Sequence, residues 1–239
     1  MIIAYDNKYA SANVNATNEN PVYTIANSQD TRLSRLFKST GVSSVITISF
    51  AQAEKITSCF IANHNFGTGV TITIKGNDTA DFTTPAYSST ISYGAYICFK
   101  LFTEQDFQYW QIGITNANEF QFGHIHLGSY LSLTNTFSHV LAENIIDTTQ
   151  VFTSLSGQTY TNVGYEYRSY ELNFPRITGT DRAAIKTMQT ATRKRPMYFL
   201  LADSVITEFT PLYATVEDVS YSRVYNDFYT ISMNLKESK

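Results

Sequence analysis

The sequence predicts a mainly β protein that carries one α-helix in its C-terminal half. Hydrophobic residues alternate with Thr and Ser along most apolar segments, and turns rich in Gly and Asn separate these segments. Charged residues make up only 15% of the 239 residues, while Tyr and Phe supply most of the 14% that is aromatic. This composition is typical of β-sandwiches, and the chain is long enough for two domains with separate cores.

The first half contains several predicted strands in succession. Residues 45–50 place Ile46, Ile48 and Phe50 on one face of a strand and polar residues on the other. The same alternation recurs in residues 70–74, 97–101 and 110–114. Short strands at this spacing predict a sandwich that presents loops, which favours a binding or assembly module over an enzyme.

A turn-rich segment at residues 116–123 interrupts the strand pattern, and we place a domain boundary there. The predicted domains are residues 1–122, a β-sandwich, and residues 123–239, an antiparallel β-sandwich with one flanking helix at about residues 180–193. Strands are expected at residues 170–174, 197–201, 212–219 and 228–235, with the Tyr-rich residues 220–227 as a hairpin connection.

The predicted helix has clear start and stop signals. Thr178 and Asp181 stand in capping-box spacing, and Pro196 ends the helix. Its apolar positions recur at helical intervals and predict packing on a sheet face: Ala184, Ile185, Met188 and Ala191. Arg193, Lys194 and Arg195 are explained by the helix dipole and by solubility, and contact with DNA or an acidic neighbour is the alternative.

Charge and cysteine content exclude several classes of protein. A net charge of −3 and a pI near 5.8 show no excess of basic residues of the kind that binds nucleic acid or an anionic membrane. No segment has the roughly 20 apolar residues that a transmembrane helix needs, so no membrane insertion is expected. Cys59 and Cys98 lie in apolar runs and are expected to be buried small hydrophobes.

Candidate catalytic and metal-binding groups are few. His124 and His126 share one face of a predicted strand, a geometry that can hold a metal, but we expect them to face solvent or an interface. His64 could be a base or a sugar contact, and the favoured interpretation is a turn residue that satisfies backbone groups. Glu217 and Asp218 are expected at a solvated edge. No carboxylate pair or nucleotide motif appears, so the sequence predicts no enzyme, no cofactor and no metal.

The excess of aromatic residues is the most unusual feature of the composition. Tyr87, Tyr93 and Tyr96 fall around a polar loop, where exposed rings can stack on sugars or anchor protein interfaces. Cross-strand packing is the alternative for each of them. Trp110 is in phase with Ile112 and Ile114 and is expected in the core.

Short motifs along nearly the whole chain carry a resemblance to a known family. They are RLSRLFKST (32–40), FIANHNF (60–66), TITI (71–74), IHLG (125–128), YELNFP (170–175), PMYF (196–199) and YTISMNLKE (229–237). They resemble the distal tail and minor tail proteins of long-tailed bacteriophages and prophages. The resemblance implies a galactose-binding-like jelly roll in the N-terminal half, with the His-Asn pair on a turn, and a ring-forming domain in the C-terminal half.

Two hypotheses follow from the residues and the resemblance. The first is a structural component of a phage tail tip or baseplate that forms a ring, by analogy a hexamer, and contacts the tail tube and other tail tip proteins. It would be made in the host cytoplasm and reside in the virion. The second is a module that binds a host cell-surface saccharide, with oligomerisation only raising avidity.

Overall fold

The computed structural model describes residues 1–133, 142–201, 210–225 and 227–238. Two 3-10 helices, at Lys8–Ser11 and Ile25–Gln29, accompany one α-helix, α1 (Gly179–Thr192), in these ranges. The strands are β1 (Ile2–Asn7), β2 (Asn13–Ala16), β3 (Phe37–Lys38), β4 (Ser43–Ala62), β5 (Thr71–Asn77), β6 (Tyr87–Thr90), β7 (Ile97–Thr115), β8 (Gln121–Phe122), β9 (His124–Ser132), β10 (Ala142–Asp147), β11 (Gln150–Thr153), β12 (Thr159–Asn162), β13 (Glu166–Ile177), β14 (Met197–Leu201), β15 (Thr210–Tyr225) and β16 (Phe228–Glu237). The predicted fold class, mainly β with one α-helix, is confirmed.

The chain forms two compact units. The first comprises Ile2–Ser132 together with Met197–Leu200, and the second comprises Met1, Leu133–Pro196 and Leu201–Lys239. The strand β9, which the sequence division assigned to the second domain, lies in the first unit because it pairs with β4 and β1. The division into domains 1–122 and 123–239 stays a prediction, namely that each of these two segments folds independently of the other.

The first unit is an antiparallel β-sandwich of the jelly-roll kind. Its main sheet has the strand order β14-β1-β9-β4-β7-β5-β6, β2 also pairs with β4, and β3 and β8 form a separate pair. Alternating apolar residues align across neighbouring strands: Ile112 of β7 pairs with Ile46 of β4 and with Ile74 of β5. This register places the predicted apolar faces on one side, where they are buried.

Two long strands build both halves of this sandwich. The sequence predicted a short strand at residues 45–50, but these residues are the first part of β4, which is one strand of 20 residues. Its pairing with β7 shifts register between Ser49 and Glu54, and such a bulge bends a strand. One buried cluster therefore contains Ile48 from before the bulge and Ile61 from after it, so both halves share a core.

The second unit has the strand order β10-β13-β16-β15, and β11 pairs with β12 as a two-stranded hairpin. Helix α1 packs against β16 and buries Ile185 and Met188, as its apolar spacing predicts. The Thr178 hydroxyl accepts a hydrogen bond from the Asp181 backbone N–H at 3.1 Å, which confirms the predicted cap. The helix ends one residue earlier than predicted, because Arg193 adopts a left-handed conformation with φ 44°.

One predicted connection in the second unit is wrong. Residues 220–225 were expected in a hairpin loop, but they continue β15, which pairs with β16 up to Tyr225↔Phe228. Tyr221 and Tyr229 belong to this ladder, and their rings lie 5.5 and 4.6 Å from the Arg182 guanidinium carbon. The Tyr-rich composition therefore reflects a strand surface packed beside the helix. No helix among the described residues is long and apolar enough to cross a membrane.

Candidate functional site

Hydrogen bonds join the loops that follow β4 and β6 into one surface of the first unit. The Asn63 backbone N–H donates to the Tyr96 carbonyl at 3.2 Å, and the Asn63 side chain donates to the Leu33 carbonyl at 2.7 Å. Asn63 is left-handed at φ 53°, a conformation that Asn tolerates better than most residues. We call loops 63–70 and 91–96 the aromatic loop pair.

His64 is the structural centre of the aromatic loop pair. The Phe66 backbone N–H donates to His64 Nδ1 at 3.2 Å, which leaves the proton on Nε2 to be donated to the Gly94 carbonyl at 2.9 Å. The imidazole also stacks on the Phe66 ring, with centroids 4.4 Å apart. Burial lowers the pKa of His64 below its usual value, although the hydrogen bond to Gly94 opposes the change. The predicted role as a turn residue is confirmed.

Two tyrosines of loop 91–96 are exposed, and the ring of one of them lies near this imidazole. Tyr96 is 84% exposed and Tyr93 is 39% exposed, and the Tyr93 ring centroid lies 6.0 Å from that of His64. Gly94 separates them, and a Cβ at this position would lie 2.4 Å from the Ile97 carbonyl oxygen. Glycine therefore allows the tight path that carries both rings toward solvent.

The other aromatic candidates pack inside the sandwich. Tyr87 lies 5.1 Å from the Phe102 ring and 6.0 Å from the Trp110 ring, so cross-strand packing is its role. Trp110 is fully buried, as predicted, and its indole N–H donates to the Phe107 carbonyl at 3.2 Å. Of the three loop tyrosines, Tyr93 and Tyr96 are therefore exposed on the aromatic loop pair, whereas Tyr87 packs against other rings.

His124 and His126 lie on one face of β9 but are buried, so the expected exposure to solvent is wrong. The Asn7 amide faces His124 Nε2 at 3.3 Å, and His124 Nδ1 lies 2.8 Å from the Tyr198 hydroxyl. Within the described residues, His126 Nε2 has no hydrogen-bond partner, and the ring packs edge-on against Phe60 and Tyr198. Burial lowers the pKa of His124 to about 4 and that of His126 to about 3.

The geometry of this histidine pair is that of a packed core. In the described parts of the chain, no group of three or more His, Cys, Asp or Glu side chains could hold a metal ion. Two imidazoles whose neighbours are aromatic rings and an amide lack the carboxylate or thiolate ligands that complete a site. Tyr198 comes from a strand about 70 residues further along the chain, which sequence spacing could not indicate.

The two cysteines are free and buried, as predicted. Burial raises the pKa of Cys59 strongly and that of Cys98 to about 11. Cys98 Sγ lies 3.3 Å from His64 Nε2, but its raised pKa keeps it a thiol at neutral pH. Both cysteines therefore contribute to core packing, and neither is expected to act as a nucleophile.

The remaining charged candidates lie on the surface of the second unit. Arg193, Lys194 and Arg195 are exposed just beyond α1, and Glu217 and Asp218 are exposed on β15, as expected for solvated positions. Arg193 and Lys194 are both left-handed, which closes the helix by turning the chain sharply.

A cleft of about 210 Å³ on the first unit was not predicted. It is lined mainly by polar and aromatic side chains, including Asn13, Asn15, Thr47, Phe82 and Tyr109. The cleft is smaller than the roughly 300–1,000 Å³ of ordinary small-molecule sites. The cleft forms where β2 and β7 pair with β4, and these strands come from distant segments of the chain. No local sequence pattern therefore predicts the cleft.

No protein-family model and no curated protein matches this sequence. Solved structures similar in fold include chitosan-binding module 1 from a chitosanase/glucanase of Paenibacillus sp. IK-5, at 12% identity and a TM-score of 0.43, covering 52% of this chain and 98% of that chain. A family 32 carbohydrate-binding module from C. perfringens NanJ, in complex with galactose, has 15% identity and a TM-score of 0.43, covering 55% and 100%.

A fucose-binding module of Streptococcus pneumoniae has 7% identity and a TM-score of 0.43, covering 51% of this chain and 94% of that chain. Each similarity therefore spans about half of this chain and nearly all of the compared module. The function of this chain is argued from its own residues.

Proposed function

We propose that the first unit is a non-catalytic module that binds a neutral saccharide at the aromatic loop pair. The observation that carries the proposal is the exposure of Tyr96 and Tyr93 on a loop that His64 ties to its neighbour by hydrogen bonds. A large aromatic ring that faces solvent on a loop exposes apolar surface to water, which is unfavourable. A sugar ring stacked on it would cover that surface. Phenol hydroxyls add groups that both donate and accept hydrogen bonds.

The charge of the surface supports a neutral ligand. Loops 63–70 and 91–96 contain no Asp, Glu, Lys or Arg. The lowered pKa keeps His64 neutral at pH 7, and both of its ring nitrogens are occupied by backbone groups. An imidazole held in this way supports the loops and is not a free general base.

Substitution of the two tyrosines tests the proposal. Tyr96→Ala and Tyr93→Ala should each weaken binding to a neutral glycan by about two- to tenfold, because one aromatic contact is worth about 0.5–1.5 kcal/mol. The glycan is first chosen by screening the intact chain on an array of neutral and acidic glycans, and affinities are then measured by titration calorimetry.

Tyr23→Ala is the matched control, because Tyr23 is 38% exposed on the same unit, contacts Lys38 and is not part of the aromatic loop pair. Its affinity should equal that of the unaltered chain. The proposal is wrong if no neutral glycan binds, or if Tyr96→Ala binds as tightly as the control.

A second candidate function is the structural one, a ring-forming component of a phage tail tip. The resemblance over nearly the whole chain supports it, as does the concentration of exposed apolar side chains in the second unit, described below. Its partners would be further copies of this chain, in a hexamer by analogy, and the tail tube and neighbouring tail tip proteins. Its location would be the virion, after synthesis in the host cytoplasm.

Negative-stain imaging and mass measurement of the purified chain test this candidate. A ring with a central hole is the expected particle. A particle that stays monomeric alone and in mixtures with neighbouring tail proteins would contradict it, whatever the result of the glycan experiment.

A further inference from the structure

An exposed hairpin in the second unit lacks any charged residue. Residues 148–165 contain β11 and β12, and all of their 18 positions are occupied by uncharged side chains. We call this segment the arm. Uncharged runs of at least this length also occur at residues 56–74, 82–99 and 120–142, so the arm is distinguished by the exposure of every residue of its two strands.

The arm continues the ladder of β10 and β13 outward. Asp147 pairs with Glu166 at the base, and Val151 then pairs with Thr161 and Phe152 with Tyr160 further out. At the base, β13 also pairs with β16, whereas β11 and β12 pair only with each other among the described residues. Both outer edges of the arm therefore present backbone groups without a neighbouring strand.

Hydrogen bonds and a close contact at a glycine form the junction between the base and the arm. The Thr148 hydroxyl donates to the Tyr165 carbonyl at 2.9 Å and accepts from the Tyr165 backbone N–H at 2.8 Å. A Cβ at Gly164 would lie 2.4 Å from the Thr148 carbonyl carbon, so this close approach requires glycine. These bonds tie the arm to the ladder below it.

Apolar side chains on the arm face solvent on both sides of the hairpin. Every residue of β11 and β12 is exposed. The most exposed large side chains of the arm and its base are Ile145 at 69%, Val151 at 63%, Phe152 at 54%, Leu155 at 111%, Tyr160 at 57%, Val163 at 80% and Tyr165 at 62%. An isolated two-stranded hairpin is marginally stable in water, and edge strands are ordinarily protected by Lys or Pro. The arm has neither protection.

We propose that the arm docks on a second copy of this chain and is buried there by edge-to-edge strand pairing and apolar contact. The contact is two-fold and joins two copies into a dimer, so the inference goes beyond the ring-forming candidate function, whose ring needs head-to-tail contacts. The seven apolar side chains offer roughly 700 Å² of surface, since large side chains of this kind bury 150–250 Å² when fully covered. A standard stable interface takes about 800 Å² from each partner.

The polar groups of the arm favour a copy of the same chain as the occupant. Gln150 faces Asn162 and Thr153 faces Thr159, and each of these amides and hydroxyls both donates and accepts hydrogen bonds. An edge with such groups and no charge is complementary to itself, as a two-fold contact requires. Because each copy carries a net charge of −3, a neutral contact also avoids repulsion between like charges.

Sedimentation velocity of full-length variants tests the arm. The unaltered chain should sediment as a multiple of 26.9 kDa, and Val151→Lys and Phe152→Lys should each weaken association at least tenfold. A lysine placed on either face would carry an uncompensated charge into the contact. Runs span roughly a hundredfold range of protein concentration, because assembly follows mass action.

Val22→Lys is the matched control, since Val22 is 74% exposed on the first unit and lies outside the arm. It should assemble like the unaltered chain, and circular dichroism should show that all variants are folded. Association of Phe152→Lys and Val151→Lys at the unaltered strength overturns the arm contact while leaving ring formation standing. An unaltered chain that is monomeric at every concentration overturns the arm contact, even if the arm binds a different protein. It contradicts ring formation only if mixtures with neighbouring tail proteins stay monomeric as well.

Discussion

At the residue level, the buried imidazoles of His124 and His126 make the stability of the first unit depend on pH. Their folded pKa values, about 4 and about 3, lie below the unfolded value of 6.5. The unfolded chain therefore binds more protons below pH 6.5, and stability falls as pH drops from about 6.5 toward 4. Lowering the pH from 7 to 5 should cost roughly 2 kcal/mol for each histidine.

His126→Phe checks this prediction. Phenylalanine keeps the edge-on ring contacts with Phe60 and Tyr198 and removes the unsatisfied Nε2, so the loss between pH 7 and 5 should be about halved. Urea unfolding followed by the fluorescence of Trp110, the single tryptophan, measures the free energy of unfolding at each pH. An unchanged loss in His126→Phe would show that this histidine does not carry the pH dependence.

At the level of the element, helix α1 depends on its N-terminal cap. The Thr178 hydroxyl accepts from the Asp181 N–H and donates to the Asp181 carboxylate, both at 3.1 Å. Thr178→Ala removes both of these bonds and should lower the free energy of unfolding by about 1 kcal/mol. Thermal or denaturant unfolding monitored by circular dichroism measures the change.

Thr190→Ala is the control for the cap. Thr190 is exposed on the same helix and its hydroxyl bonds only to the Lys186 carbonyl one turn back, so alanine there should be neutral or slightly stabilising. Equal destabilisation by the two substitutions would argue that helix composition, and not the cap, controls this element.

At the level of the whole molecule, the first unit needs segments from two distant parts of the chain. The fragment 1–122 lacks β9, which lies between β1 and β4 and contributes Ile125 and Leu127 to the core. It should therefore show no cooperative unfolding. The fragment 1–132 regains β9 but lacks Met197–Leu200, the second partner of β1, and should melt below the first unit of the full chain.

Thermal melts of both fragments and of the full chain, followed by circular dichroism, decide this point. A cooperative transition in fragment 1–122 at the temperature of fragment 1–132 would support the sequence-based boundary instead. That outcome would mean that the pairing of β9 adds little to the stability of the sandwich.

Several features of this molecule could be predicted because they depend on neighbours in the chain. The alternation of Ile46 and Ile48 predicts a half-buried strand, and Thr178 with Asp181 predicts where a helix begins. His64 as a turn residue also follows locally, since Phe66, one of its backbone partners, is two residues away. The roles of Tyr87, Tyr93 and Tyr96 could not be separated in this way, because similar residues around one loop end in different environments.

The sequence by itself determined a mainly β chain with one capped helix, low charge and buried cysteines, because alternation, capping and composition act over a few residues. Only the tertiary structure decided that β14 joins β1, that His124 and His126 are buried, and that β11 and β12 pair only with each other among the described residues. These features depend on which distant strands pair. That choice is made by the free energy of the whole core, which no local window of sequence contains.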